Sequence, residues 1–354
     1  MEVHVGIQIT VNGIGCMSAG GGAPGQVKEK VQSAARMLLV LFAVGALAAC
    51  GSRMVREAPV VINENAHSGG SVVAFSTAGE LLASGGWEGR VRLWQVPAGS
   101  QVRTWGAHSD SVNGIVFTDS DRQLVTAGYD GRIARWSTGG KLLDEIETSS
   151  PVMHMTARVS ADWLLTGHAD GSVREWRLSD LSLLKAQVLH RGSVKAVAID
   201  PAGDRFASSG SDGAVYVWST GMPARRLEDP PADAWTLAFS PDGKVLMGGS
   251  WFRLYRWQLR DASLQTLATR HRGIIRSIRY LPASRTLASI SRQTDSAVYF
   301  LDPATGAVVR SFQQHDLCGA DVTVSPDGRY LATTSDDASV RIWDLGTVRP
   351  TGGR

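Results

Sequence analysis

The sequence predicts an all-β chain built from seven copies of one unit, and three observations carry that prediction. First, Trp94, Trp136, Trp176, Trp218, Trp257 and Trp343 recur at steps of 42, 40, 42, 39 and 86 residues. The last step is two periods long, and Leu301, behind Val298-Tyr299-Phe300, fills the gap. A fixed period near 42 dictates the architecture of the whole chain and directs attention to surfaces rather than to one reactive group. Second, apolar and polar residues alternate with period two between turn signals, as in Val340-Arg341-Ile342-Trp343-Asp344, which is the pattern of strands. Third, the turns repeat. Ser240-Pro241-Asp242-Gly243 and Ser325-Pro326-Asp327-Gly328 close one hairpin, and the pairs Asp130-Gly131, Asp170-Gly171 and Asp212-Gly213 close a second. Proline there presets φ and Asp-Gly supplies a tight reversal.

Within each unit the elements follow in order: an apolar first strand such as 112–117, a turn, a short second strand such as Leu124-Val125-Thr126, a hairpin, then the strand that ends in Trp. Four positions travel together through the copies. The sets are His108, Thr126, Asp130, Trp136; His190, Ser208, Asp212, Trp218; His315, Thr333, Asp337, Trp343; and, with Glu for Asp, His67, Ser84, Glu88, Trp94. His and Trp are 27 or 28 residues apart and the acid is always 6 before Trp. This grammar resembles the WD-repeat family over about residues 60–344. The resemblance implies a single seven-bladed β-propeller of four-stranded antiparallel blades, occupying residues 59–346. It also implies that the His, hydroxyl and acid form a buried network tying strands together. A Ser-His-Asp set invites a nucleophilic reading, but one chain has no use for the same catalytic set in four blades, and buried polar groups that satisfy one another account for it.

Two copies lose one member. The third has Ser150 where His is expected, beside Thr166, Asp170 and Trp176; the sixth has His271, Ser289, Asp295 and then Leu301 for Trp. The fifth keeps only Trp257, with Met247 and Trp251 in the hydroxyl and acid slots. Closure is also legible. Too few residues follow Trp343 for an outer strand, whereas Pro59-Val60-Val61-Ile62 precedes the first His; the N-terminal strand is expected to complete the last blade and remove its open edge.

Residues 1–49 read as a leader. Lys28, Lys30 and Arg36 precede the apolar run 37–49, which is too short to span a bilayer with ease and ends Leu47-Ala48-Ala49-Cys50. That ending resembles the lipobox of bacterial lipoproteins, which implies cleavage before Cys50 and acylation of its thiol, with residues 50–58 as a short tether. Two or more acyl chains anchor stably where one does not. The ordinary-signal alternative remains, and the Gly-rich stretch before residue 26 leaves the true start open between Met1, Met17 and a site near Val27. Residues 347–354 read as a tail. By family analogy the expected setting is the cell envelope, on the periplasmic side of an outer membrane if the host is Gram-negative.

The chain has 36 Lys+Arg and 33 Asp+Glu, and removing the leader's three basic and two acidic residues leaves +2. That balance argues against nucleic acid. With Cys16 in the leader and Cys50 acylated, Cys318 stands alone and no disulfide is expected. The motifs of the common hydrolases, metalloproteases and phosphate loops are lacking, and the third copy's His154 and His168 are a poor metal pair without a third ligand. No catalytic residue, cofactor or metal is therefore expected.

The binding candidates come from aligned positions. Those before the turn acid read Trp87, Tyr129, Ala169, Ser211, Ser250, Thr294 and Asp336; those near the start of each first strand read Ser71, Asn113, Met155, Lys195, Trp235, Arg276 and Ala320. Aromatic and Arg side chains dominate binding hot spots. In the fifth copy, Ser250-Trp251-Phe252-Arg253 replaces the Asp-Gly hairpin, which is poor turn chemistry. Either Trp235, Trp251, Phe252 and Arg276 form part of a partner-binding patch with Trp87 and Tyr129, or Trp251 folds inward and fills the space of the lost network. The expectation is a membrane-anchored, non-enzymatic scaffold for envelope proteins. The alternative is an envelope hydrolase or small-ligand sensor that uses the central channel.

Overall fold

The computed structural model describes residues 56–346 except 283 and 285. The leader, Cys50 and residues 347–354 lie outside the described residues.

Seven antiparallel sheets follow one another along the chain, each running from an innermost to an outer strand. The first uses Gly70–Phe75, Leu81–Gly86, Arg90–Gln95 and Gln101–Gly106; the second begins at Val112–Thr118, the third at Val152–Arg158, the fourth at Val194–Ile199 and the fifth at Thr236–Phe239. The sixth begins at Ile274–Tyr280 and the seventh at Gly319–Val324. Each innermost strand packs on those of both neighbours, and the seventh packs on the first, so the sheets are blades of a closed propeller around a central channel. The single helical turn among the described residues is the 3-10 turn Val159–Ala161.

The turn chemistry read from the sequence operates as expected. In 240–243 the Ser240 hydroxyl donates to Asp242 at 2.6 Å, Gly243 N–H returns to the Ser240 carbonyl at 2.8 Å, and Gly243 takes φ +65°. A left-handed residue is required there, and glycine adopts it without a Cβ penalty.

Closure has two parts. Val61–Asn63 pairs antiparallel with Val340–Asp344, with Val61 opposite Ile342, and completes the seventh blade. Ahead of it, Arg56–Glu57 adds a fifth, parallel strand to the outer edge of the sixth blade, opposite Ser311 and Phe312. The sheet structure thus begins inside the expected tether. Arg310 grips the Glu57 carboxylate through two hydrogen bonds of 2.8 and 2.5 Å. The Glu57 carbonyl accepts from Gln313 N–H and from the Trp343 indole, so this segment binds the sixth blade to the seventh.

The core is divided in the same rhythm. Seven clusters of buried apolar side chains each join two neighbouring blades. Leu301 packs in the cluster between the fifth and sixth blades with Met247, Leu254 and Leu267, and is fully buried. Met247 is fully buried there too, but it does not hold the hydroxyl slot expected of it: the register, with Leu246 opposite Trp257, puts Gly248 in that slot and turns Met247 toward the sixth blade. The fifth blade therefore replaces its polar network with packing.

Candidate partner-binding face and central channel

The repeated polar sets form chains of hydrogen bonds. In the second blade the Trp136 indole donates to Thr126 Oγ1 at 3.0 Å, Thr126 Oγ1 meets His108 Nε2 at 2.8 Å, and His108 Nδ1 meets Asp130 at 2.9 Å. In the first, Trp94 reaches Ser84 at 2.8 Å, Ser84 meets His67 at 2.7 Å, and His67 meets Glu88 at 2.9 Å. Burial lowers the His67 pKa to about 4, against the opposing pull of Glu88, so the ring is neutral at pH 7. Burial alone would raise the Glu88 carboxyl, but Arg92, its own backbone and His67 outweigh it and hold it at about 2. Burial pushes Asp130 the same way, and its hydrogen bonds hold it at about 2. Ser84, Thr126, Ser208 and Thr333 have no exposed surface at all. A hydroxyl that no substrate can touch is not a nucleophile, whatever its His and acid resemble.

Two of the four tryptophans depart from the expected set. His190 meets Ser208 and Asp212 at 2.9 and 3.0 Å, yet the Trp218 indole donates across to Glu175 of the third blade at 2.8 Å. His315 meets Thr333 and Asp337 at 2.7 and 3.0 Å, while Trp343 turns to Glu57. These two indoles serve contacts between blades in place of their own hydroxyls.

In the third blade the His position is held by Thr148 and not by the expected Ser150, since Thr148 N–H returns to Gly131 O as His190 N–H returns to Gly171 O; the blade repairs its missing His from within. A glycine stands two residues before the acid in three blades: Gly86, Gly128 and Gly210. A Cβ added at these positions would lie 2.3, 2.5 and 2.3 Å from the Nδ1 of His67, His108 and His190. The third blade has His168 in that slot. Its Nε2 meets Thr166 Oγ1 at 2.8 Å and its Nδ1 meets the Ser150 carbonyl at 3.2 Å, with burial lowering its pKa to about 4. The imidazole enters from the second strand instead of the loop. His168 is thus part of this network, whereas His154 lies on the channel wall.

The binding candidates separate by place. Trp87, Tyr129, Trp251 and Phe252 are 45, 44, 38 and 46% exposed, all at the turn between the second and third strands of their blades. Because the blades share one strand direction, these turns open on the same face. Trp87 lies over Gly69, where a Cβ would sit 2.6 Å from its ring, and it also lines the channel cavity. Trp251 and Phe252 pack with ring centroids 5.6 Å apart and planes tilted by 52°, and Phe252 is held at φ +61° by Gly273 O, which accepts from its N–H, and by Thr269, which donates to its carbonyl. Trp251 does not fold inward; beside Trp257 the buried Tyr255 ring packs at 5.8 Å where the other blades carry the network.

Trp235 and Arg276 belong elsewhere. In six blades the innermost strand carries a bulge at its start, and the extra residues are Ser71, Asn113, Met153, Lys195, Arg276 and Ala320. A bulge re-aims a side chain. Ser71, Asn113, Met153, Arg276 and Ala320 all line one cavity of about 170 Å³ in the channel. The third blade's member is Met153, although the aligned Met155 lines the cavity as well. Lys195 instead covers the Trp235 ring, its Nζ 3.6 Å from the centroid. The sequence alignment had found this ring of positions; what it lacked was the bulge that turns them toward the axis.

Comparison with known proteins fits this architecture. Residues 61–95, 99–137, 182–219 and 306–344 match the family model described as WD domain, G-beta repeat. Four stretches of the seven-bladed β-propeller thus match WD40 repeats. Among similar proteins, Striatin-4 of Homo sapiens is 24% identical over 284 residues, covering 69% of this chain and 38% of the relative. The WD repeat-containing protein SL1-17 of Schistosoma mansoni is 30% identical over 188 residues, covering 52% and 62%. The WD repeat-containing protein 90 of Xenopus tropicalis is 26% identical over 308 residues, covering 79% and 16%. The chain thus spans less than two thirds of the length of each of these relatives.

Proposed function

We propose that this chain is a non-enzymatic scaffold that holds protein partners on the face bearing Trp87, Tyr129, Trp251 and Phe252, while Cys50 tethers it to a bacterial envelope membrane through lipid. The observation that carries the binding part is the fifth-blade turn. Two adjacent aromatics in contact are partly open to solvent, and one is held in a left-handed conformation that residues other than glycine resist. Strain of that kind, about 1–3 kcal/mol per residue, persists where surrounding structure enforces it and clusters at functional sites. Exposed aromatics rimmed by polar groups are the usual anchors of interfaces. The envelope part rests on the leader and Leu47-Ala48-Ala49-Cys50.

The test is crosslinking and pull-down from native membranes with wild type, Trp251→Ala/Phe252→Ala and Cys50→Ser. A recurrent protein captured by wild type and lost from the folded aromatic variant supports the face. Equal capture by both removes it. Release of the Cys50→Ser variant from membranes supports the tether, and unchanged fractionation overturns it.

A further inference from the structure

We propose that the channel cavity is a carboxylate-binding site centred on Arg276. The bulge residues around the ring reach for the next blade: Ser71 Oγ donates to Val112 O at 2.5 Å, Asn113 Nδ2 to Val152 O at 2.8 Å, and Lys195 covers Trp235 with Asp233 3.7 Å away. Arg276 occupies the same position in the sixth blade. Among the described residues it has neither an ion pair nor a hydrogen bond, so the most demanding donor of the ring is the one without a partner.

The carboxylates nearby are already committed. Asp321 accepts from Ser277 Oγ at 2.6 Å, Val73 N at 3.1 Å and Val322 N at 2.9 Å, with Arg279 at 3.6 Å. Asp336 is paired with Arg292 at 3.0 Å. Three guanidiniums, Arg276, Arg279 and Arg292, thus face two carboxylates in the cavity wall. One positive charge is left over. Burial depresses the Arg276 pKa; Asp321 opposes this, and Arg292 and Arg279 add to it. An uncompensated cation in such surroundings is costly unless an anion or water meets it.

His154 adds a neutral donor. Val197 N–H donates to its Nδ1 at 3.3 Å, which puts the ring proton on Nε2. Burial and the Arg279 and Arg276 charges lower its pKa to about 3, so it stays uncharged at neutral pH.

The missing charge and the donor geometry select the ligand. A planar guanidinium fork matches a carboxylate through two parallel hydrogen bonds. A carboxylate brings the single negative charge the wall lacks, whereas a phosphate monoester at neutral pH brings about 1.5 to 2. The volume, about 170 Å³, equals that of about five or six waters, enough for a carboxylate and its nearest carbons. Two sources share this chemistry: a free small acid, and an Asp or Glu side chain of a bound protein. The site shares Trp87 with the aromatic face, but Arg276 variants leave Trp251 and Phe252 untouched, so the two proposals fail separately.

The test is isothermal titration of the full chain with sodium acetate, with N-acetyl-Gly-Glu-Gly-amide, whose single carboxylate is a side chain, and with inorganic phosphate. Sodium chloride holds the ionic strength fixed. Saturable acetate or peptide binding is expected, weakened about tenfold or more by Arg276→Gln, as for loss of a charged bidentate hydrogen bond. Arg276→Lys keeps the charge but loses the fork, and serves if Arg276→Gln fails to fold; it too should weaken binding. Preference for the peptide assigns the site to a protein's acidic side chain, and preference for acetate assigns it to a free acid. No saturable binding, unchanged binding in both variants, or tighter binding of phosphate than of either carboxylate overturns the proposal.

Discussion

Exchanging the two residues that distinguish the third blade should restore the arrangement of its neighbours. The perturbation is Thr148→His with His168→Gly, because Thr148 N–H returns to Gly131 O as His190 N–H returns to Gly171 O. Thr148→His alone sends a second imidazole toward space that His168 already fills, since even a Cβ in the equivalent slot of the first blade would lie 2.3 Å from His67 Nδ1. Overpacking costs about 1–3 kcal/mol and a displaced buried polar group about 1–3 kcal/mol more. His168→Gly alone leaves Thr166 Oγ1 without its His partner and opens a void in a fully buried site, a loss of about 3 kcal/mol. Together the changes supply His from the loop, glycine beneath it, and the existing Thr166 and Asp170. The double variant should therefore lie within about 1 kcal/mol of wild type, with a coupling energy of about 3 kcal/mol or more. Urea denaturation of the four proteins at pH 7.5 measures this. A double variant that loses as much as the two singles combined would refute the claim that these positions are alternative entries for one imidazole.

Acid should weaken the ring through its buried histidines. His67, His168 and His271 are buried with pKa lowered to about 4, burial being the main cause in each. The unfolded chain binds protons on these groups near pH 6.5, so their contribution is complete above 6.5 and is lost as pH falls towards 4. At pH 5.5 each costs about 1.4 kcal/mol, about 4 kcal/mol for the three. A urea midpoint unchanged between pH 7.5 and 5.5 would contradict this. Phe252→Gly relieves a left-handed side chain worth about 1–2 kcal/mol against a glycine entropy cost of about 0.5–1 kcal/mol. Its thermal midpoint should hold or rise while partner capture falls; a loss of more than about 2 kcal/mol would make the ring a structural brace.

How much of this was legible depended on whether a feature repeats. Period, turns and the four His-hydroxyl-acid sets repeat, so comparison of copies exposed them, and the strand at 61–63 was expected because the last unit lacked one. The repair by His168 was also written in the copies. Its position aligns with Gly86, Gly128 and Gly210, and a His there, with Thr148 standing 28 residues before Trp176 where the other copies carry His, is the signal; His168 taken with His154 as a poor metal pair misses it. Other features were hidden because they depend on geometry between blades. The Trp218 bond to Glu175 and the Trp343 bond to Glu57 leave no mark in their own repeats. The parallel strand at Arg56–Glu57 is two residues long and has no alternation to detect. Trp235 and Arg276 were grouped with Trp251 and Phe252 because they neighbour by blade, but a bulge points Arg276 to the axis and Lys195 covers Trp235.

Each of the seven apolar clusters is shared by two blades, and the last one returns to the first. In an open array of repeats, a terminal unit detaches by breaking one interface, so such molecules fray from their ends. A ring has no such unit: any blade that departs must separate from two neighbours at once. The weakest place is then set by chemistry instead of position. That place is the fifth blade, which has neither the His-acid chain nor the bulge that starts the other innermost strands, and whose exposed aromatic pair sits at the seam with the sixth. A partner that covers Trp251 and Phe252 would clasp the ring where it is least reinforced, and binding there would raise the resistance of the whole circle to opening.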